Sequence, residues 1–143
     1  MIPLIVDASV AVKWLIQEEG SAPALALRQP GTRLIAPDLL MVECANILWK
    51  KVRLGELSPE EAGLAARLVC AVDMELVPTR HLADRVVDLA IALDHPAYDC
   101  LYLAVALDRD GRFVTADQRF VRKVAGAGPG PWQERVLHLA DLA

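Results

Sequence analysis

The chain's 143 residues suit one domain around one core, and a hydrophobic fraction of 55% with a mean hydropathy of +0.32 excludes a disordered chain. Apolar runs such as 101–107 stop well short of the roughly 20 residues a membrane span requires. A net charge of −4 and a pI near 5.3 argue against a basic nucleic-acid-binding surface. That objection lapses if several acids are gathered in one pocket around a divalent cation.

The start, MIPLIVDASV, has no basic region and reaches an aspartate at once, so a secretory signal is not expected and the cytoplasm is. Cys44, Cys70 and Cys100 are odd in number, widely spaced and without metal-ligand spacing, which reads as reduced core thiols. There is no linker, repeat or low-complexity tract, and residues 1–143 are expected to form a single domain.

Short β-like runs alternate with longer helical patterns. LIVD (4–7) reads as a buried strand, followed by helices from Ala8 to Gln17 and from about Ala22 to Arg28. RLIAP (33–37) is a second strand. From Asp38 to Arg53 the spacing of Leu39, Val42, Ile47 and Leu48 is helical, with Asp38 as the expected N-cap. Ser58, Pro59, Glu60 and Glu61 open the next helix with a cap, a first-turn proline and two acids near the positive end of the dipole. ELVP (75–78) is a third strand, and helices follow at about 80–93 and 98–109, split by Asp94-His95-Pro96. RFVT (112–115) is a fourth strand, 117–124 a short helix and RVLHL (135–139) a fifth strand. This alternation predicts an α/β fold, a three-layer α/β/α sandwich around a parallel sheet of about five strands.

In such a sheet, ligands bind beyond the carboxyl ends of the strands. Asp7 ends the first strand and Asp117 follows the fourth. Glu43 lies about five residues into the helix after the second strand, on the order of 7 Å along its axis, within reach of the same edge. Only Asp110-Gly111 separates the helix of Asp99 from the fourth strand, so that helix ends at the amino edge and starts at the carboxyl edge, where Asp99 lies. Each aspartate could be an ordinary helix cap, and Glu43 a solvated helix residue. Caps, however, need not gather at one point, and four carboxylates drawn together repel each other unless a hard cation such as Mg²⁺ or Mn²⁺ joins them.

Four segments carry a family resemblance: VDASVAVKWLIQEE (6–19), PDLLMVECANILWK (37–50), HPAYDCLYLAVAL (95–107) and FVTADQRF (113–120). In order, spacing and flanking residues they resemble the successive motifs of a PIN domain, most of all those of the VapC-type toxins of toxin–antitoxin pairs. The resemblance runs in register from Ile2 to about Leu139.

It implies strand order 3-2-1-4-5 and a metal-dependent endoribonuclease using Mg²⁺ or Mn²⁺, with Asp7, Glu43, Asp99 and Asp117 as catalytic acids and metal ligands. Asp7 and Asp99 are the foremost direct ligands; Glu43 and Asp117 act directly or through water. It further implies an RNA substrate, a small VapB-like antitoxin and a homodimer. Ser9, Asn46 and Thr115 form an expected support shell: Ser9 and Thr115 are each two residues from a carboxylate, and Asn46 is one turn from Glu43. Lys13, Arg80, Arg119 and Arg122 are candidate RNA contacts, while His95 reads as a bystander. Trp14, Trp49 and Tyr102 read as packing. Gln118 and Arg119 stand where some PIN domains carry a further acid, which puts a second metal site at that turn in doubt. Two other readings remain open: an aspartyl-phosphate phosphatase, which would want an aspartate in place of Ser9, and an inert partner-binding module of the same fold.

Overall fold

The computed structural model describes residues 1–142. Five strands form one all-parallel sheet: β1 (Leu4–Val6), β2 (Leu34–Pro37), β3 (Glu75–Val77), β4 (Arg112–Thr115) and β5 (Val136–His138). Their order is β3-β2-β1-β4-β5, as expected. The register sets Ile5 beside Ile35 on one side and Phe113 on the other, all three fully buried. This is why the central strands read as continuous apolar runs rather than alternating ones.

Among the described residues, seven α-helices connect and cover the strands: α1 (Ala8–Ala11), α2 (Ser21–Ala26), α3 (Leu39–Arg53), α4 (Pro59–Cys70), α5 (Ala83–Leu93), α6 (Ala97–Asp108) and α7 (Gln118–Gly126). The chain moves outward from β1 to β3, then returns across the sheet to β4 and β5. Right-handed crossovers therefore put α1–α4 on one face and α5–α7 on the other. α6 lies across β1, β2 and β4 and is buried on nearly every side, through Cys100, Tyr102, Leu103, Ala104, Val105 and Ala106. Beneath it Tyr102 stacks on Phe113 at 5.4 Å between ring centres, and Phe113 meets Phe120 of α7 at 5.9 Å.

Several local expectations need correction. The helix after β1 gives way at Val12 to a 3₁₀ turn, Val12–Trp14, which brings the Trp14 indole to donate 2.8 Å to the Ala24 carbonyl of α2. Asp38 precedes α3 but has helical dihedrals and makes no capping bond; its backbone N–H donates instead to Val77 of β3. Trp49 is 53% exposed, since α3 buries Leu40, Cys44 and Leu48, and the indole is covered only by the Arg53 guanidinium at 4.8 Å. Cys70, at the end of α4, is exposed, while Cys44 and Cys100 are buried thiols. Ser58 caps α4 as expected, and Glu61 adds a return bond to the Ser58 N–H that completes a reciprocal cap. No helix among the described residues is long and apolar enough to cross a membrane.

The short α6–β4 connection, which fixes where α6 begins, depends on Gly111. A Cβ there would lie 2.6 Å from the Pro3 carbonyl oxygen and 2.7 Å from Ile5 Cδ1, and the first of these is backbone that cannot step aside. Gly111→Ala is expected to destabilise the protein by about 1–3 kcal/mol, as other overpacking changes do. Denaturant unfolding would show this as a lower midpoint at unchanged slope.

Candidate active site

A cleft of about 530 Å³ opens beyond the carboxyl ends of β1 and β4. Asp7, Ser9, Glu43, Asn46, Asp99 and Asp117 line it, with an apolar wall of Leu39, Val42 and Ile47 and the ring of Tyr98. The four acids come from positions separated by up to 110 residues, and none of the lining residues is a lysine or arginine.

Asp7 is 6% exposed and both of its oxygens are engaged. Oδ1 accepts from Ser9 Oγ at 2.5 Å and from Val10 N at 3.2 Å; Oδ2 accepts from Thr115 Oγ1 at 2.5 Å. It therefore caps α1 while also facing the cleft, so the two roles weighed for it coexist. Ser9 and Thr115 are tied into β4's end in turn, Ser9 Oγ accepting from Ala116 N and Thr115 Oγ1 from Asp117 N. Thr115 thus serves the carboxylate of the neighbouring strand rather than the side chain of Asp117, two residues on. Asp117 caps α7, its Oδ1 accepting from the N–H groups of Arg119 and Phe120.

Glu43 accepts a 2.5 Å hydrogen bond from the Tyr102 hydroxyl, joining α3 to α6. Asp99 accepts at 2.7 Å from Nε2 of His95, four residues earlier in the turn that precedes α6. Sequence reasoning passed over both of these donors. The Tyr102 ring is indeed packing, but its hydroxyl reaches the cleft acid. His95 stands four residues before Asp99, and that spacing is the signal that could have found it.

The electrostatics follow from burial. It pushes Asp7 up from an ordinary 3.8 to about 6, against the lowering pull of Ser9, Thr115 and Val10 and with a further push from the charge of Asp99. Burial raises Glu43 as well, opposed by Tyr102 and reinforced by Asp99. Asp99 is raised by burial and by the charge of Asp117, while the His95 hydrogen bond pulls the other way. The Tyr102 phenol is driven far above its usual range by burial and by its bond to Glu43, so it stays a donor. Three carboxyls with raised pKa values in one cleft are acids whose charge the protein alone does not neutralise.

In the arrangement seen, no three His, Cys, Asp or Glu side chains among the described residues stand close enough together to hold an ion. Asn46 faces the cleft beside Glu43. Of the basic candidates, Lys13 is paired with Glu18 at 3.5 Å and lines a separate cavity with Gly20 and His138. Arg80, Arg119 and Arg122 are exposed.

Comparison with known proteins agrees with this architecture. Residues 4–126 match the PIN domain. Ribonuclease VapC3 of Pyrobaculum aerophilum is 31% identical over 123 residues, covering 84% of this chain and 93% of that protein. Among solved structures, the crystal structure of PAE2754 from Pyrobaculum aerophilum superposes with a TM-score of 0.72 at 22% identity, over 99% of this chain and 86% of the other. A toxin–antitoxin complex from Klebsiella pneumoniae does so with a TM-score of 0.58 at 12% identity, over 95% and 97%. Both structures share the fold. The match across most of the chain and the identity to a VapC relative over nearly all of its length place this protein in the PIN domain family, among the VapC-type members.

Proposed function

We propose that this chain is a divalent-metal-dependent endoribonuclease and the toxin of a VapBC-type pair, with residues 1–143 acting as one catalytic domain in the cytoplasm. The observation that carries this reading is four carboxylates from remote segments lining one cleft at the carboxyl edge of the sheet, with no lysine or arginine among them. Its donor set is all hard oxygen, which suits Mg²⁺ or Mn²⁺ and not a thiolate-loving metal.

In this mechanism a bound ion supplies Lewis-acid polarisation of the scissile phosphate and acidifies water. The chain's own residues do the positioning. Asp7 and Asp99 would hold the ion, with Glu43 and Asp117 completing the acidic lining directly or through water. Ser9 and Thr115 lock Asp7 in one rotamer, so its oxygens need not reorganise when substrate arrives. Asn46, one turn from Glu43, offers an amide to orient that carboxylate or the substrate. Arg119 and Arg122, exposed on the helix that Asp117 caps, are suited to contact RNA phosphates, with Arg80 a further candidate. The VapC relative and the toxin–antitoxin neighbour support a VapB-like antitoxin as partner. Homodimerisation belongs to the same reading.

The test is cleavage of single-stranded RNA by the purified protein. Cleavage with Mg²⁺ or Mn²⁺ is expected, and it should vanish in excess chelator and in the Asp7→Asn/Asp99→Asn double variant. Cleavage that persists in either case overturns the reading.

A further inference from the structure

His95 lies in the turn between α5 and α6, where Asp94 takes a left-handed φ of 49° and the His95 N–H donates 3.1 Å to the Ala90 carbonyl. Its side chain is only 12% exposed. The imidazole is tilted against Phe120 with ring centres 4.8 Å apart, and Phe120 is fully buried in α7. Its backbone N–H also donates to Asp117, so the helix that cradles the imidazole is the one Asp117 caps. Held by the turn below and the ring beside it, Nε2 reaches Asp99 Oδ2 at 2.7 Å. A carboxylate only accepts, so the proton in this contact sits on Nε2. This leaves Oδ1 as the oxygen of Asp99 not held by the imidazole, on a residue that lines the cleft.

Every other acid of the cleft is likewise gripped by a protein donor: Asp7 by Ser9 and Thr115, Glu43 by Tyr102, Asp117 by two backbone N–H groups. Asp99 differs in that its donor is an imidazole seated at a tilt of 54° against the fully buried ring of Phe120. We propose that His95 is a positioning residue for Asp99: wedged on Phe120, it holds Oδ2 and fixes the rotamer that presents Oδ1 to a divalent ion. The proposal rests on the metal-dependent nuclease reading above.

The experiment is calorimetric titration of the full-length protein with Mn²⁺ alone, in the wild type and in variants of His95. His95→Phe keeps an aromatic ring against Phe120 and removes the N–H; His95→Gln keeps an N–H at similar reach. The phenylalanine variant is expected to bind Mn²⁺ about 10- to 100-fold more weakly, the usual cost of losing a partner of a ligating carboxylate. Glutamine should recover affinity to within about threefold of wild type, a rescue that a merely structural role would not produce. If the phenylalanine variant does not fold, His95→Leu takes its place and is expected to bind as weakly. Equal Mn²⁺ affinity in the wild type and the phenylalanine or leucine variant overturns the role of His95 and leaves the nuclease reading standing, as does failure of glutamine to rescue. A wild-type protein that binds no Mn²⁺ overturns the nuclease reading itself, and the proposal with it.

Discussion

Asp7→Asn is expected to abolish RNA cleavage and, in the same stroke, to make the ion-free protein harder to unfold. The loss of activity should be about 10³-fold or more, some 4 kcal/mol of barrier, because the foremost ion ligand loses its charge. The gain in stability follows from burial. Asp7 is 6% exposed with its pKa raised from 3.8 to about 6, so between those values the native protein binds more protons than the unfolded chain. Stability from this group is therefore fully present below pH 4, falls as the pH rises through 6, and stays at its lower level above that. Keeping Asp7 ionised at pH 7.5 costs the fold about 3 kcal/mol, which asparagine, of nearly the same shape, avoids. The amide must still place one N–H where a hydroxyl now donates, and Ser9 or Thr115 can rotate to accept it, so the gain is at most this figure. A rise in melting temperature of up to roughly 10 °C in chelator at pH 7.5 is the expected result for a domain of this size. The difference between the two proteins should shrink toward pH 4. A variant that is less stable than wild type at pH 7.5 would mean that the pocket favours the carboxylate, which contradicts the burial seen here. The site is thus a place where stability is given up for function, a common signature of catalytic acids.

Much of this arrangement is legible in the sequence. The buried runs of β1, β2 and β4 and the alternation with helices lead to the sheet, and the short connection through Asp110-Gly111 orients α6 so that Asp99 has to lie at the carboxyl edge. Glycine at 111 turns out to be the physical condition for that connection, since any side chain would strike Pro3 and Ile5. What periodicity could not reveal was which donor each acid would receive. Thr115 serves Asp7 across 108 positions of sequence, and Tyr102 reaches Glu43 across 59; pairings of that range are settled by the fold and leave no local pattern. Tyr102 also shows how one side chain can satisfy two descriptions, its ring stacked in the core on Phe113 and its hydroxyl in the cleft. His95 was passed over because a histidine before proline reads as loop, although the i to i+4 spacing to Asp99 was there to be used. Trp49 failed for the opposite reason. Helical spacing places it one position beyond the buried Leu48, and about 100° of rotation is enough to carry a large apolar ring out to solvent.

Binding of Mn²⁺ should weaken steeply as the pH falls from 7.5 to 5, with protons released as the ion enters. Burial raises the pKa values of Asp7, Glu43 and Asp99, and every raised carboxyl holds its proton at a higher pH than an exposed acid would. An ion must displace those protons, so the sign is fixed: affinity is full well above the pKa values and declines once the pH drops through them. For Asp7 alone, with a pKa of about 6, roughly nine-tenths of the protein is protonated at pH 5, and the apparent affinity should fall about tenfold. Glu43 and Asp99 steepen the decline. Titrations in two buffers of different ionisation enthalpy would count the protons released. Thr115→Val offers a directional check, because the Thr115 hydrogen bond lowers the Asp7 pKa and its removal should carry the pH midpoint of binding upward. An affinity unchanged between pH 5 and 7.5 would mean that the ion does not compete with protons for these oxygens, and hence that it binds somewhere other than the cleft that Asp7 and Asp99 share.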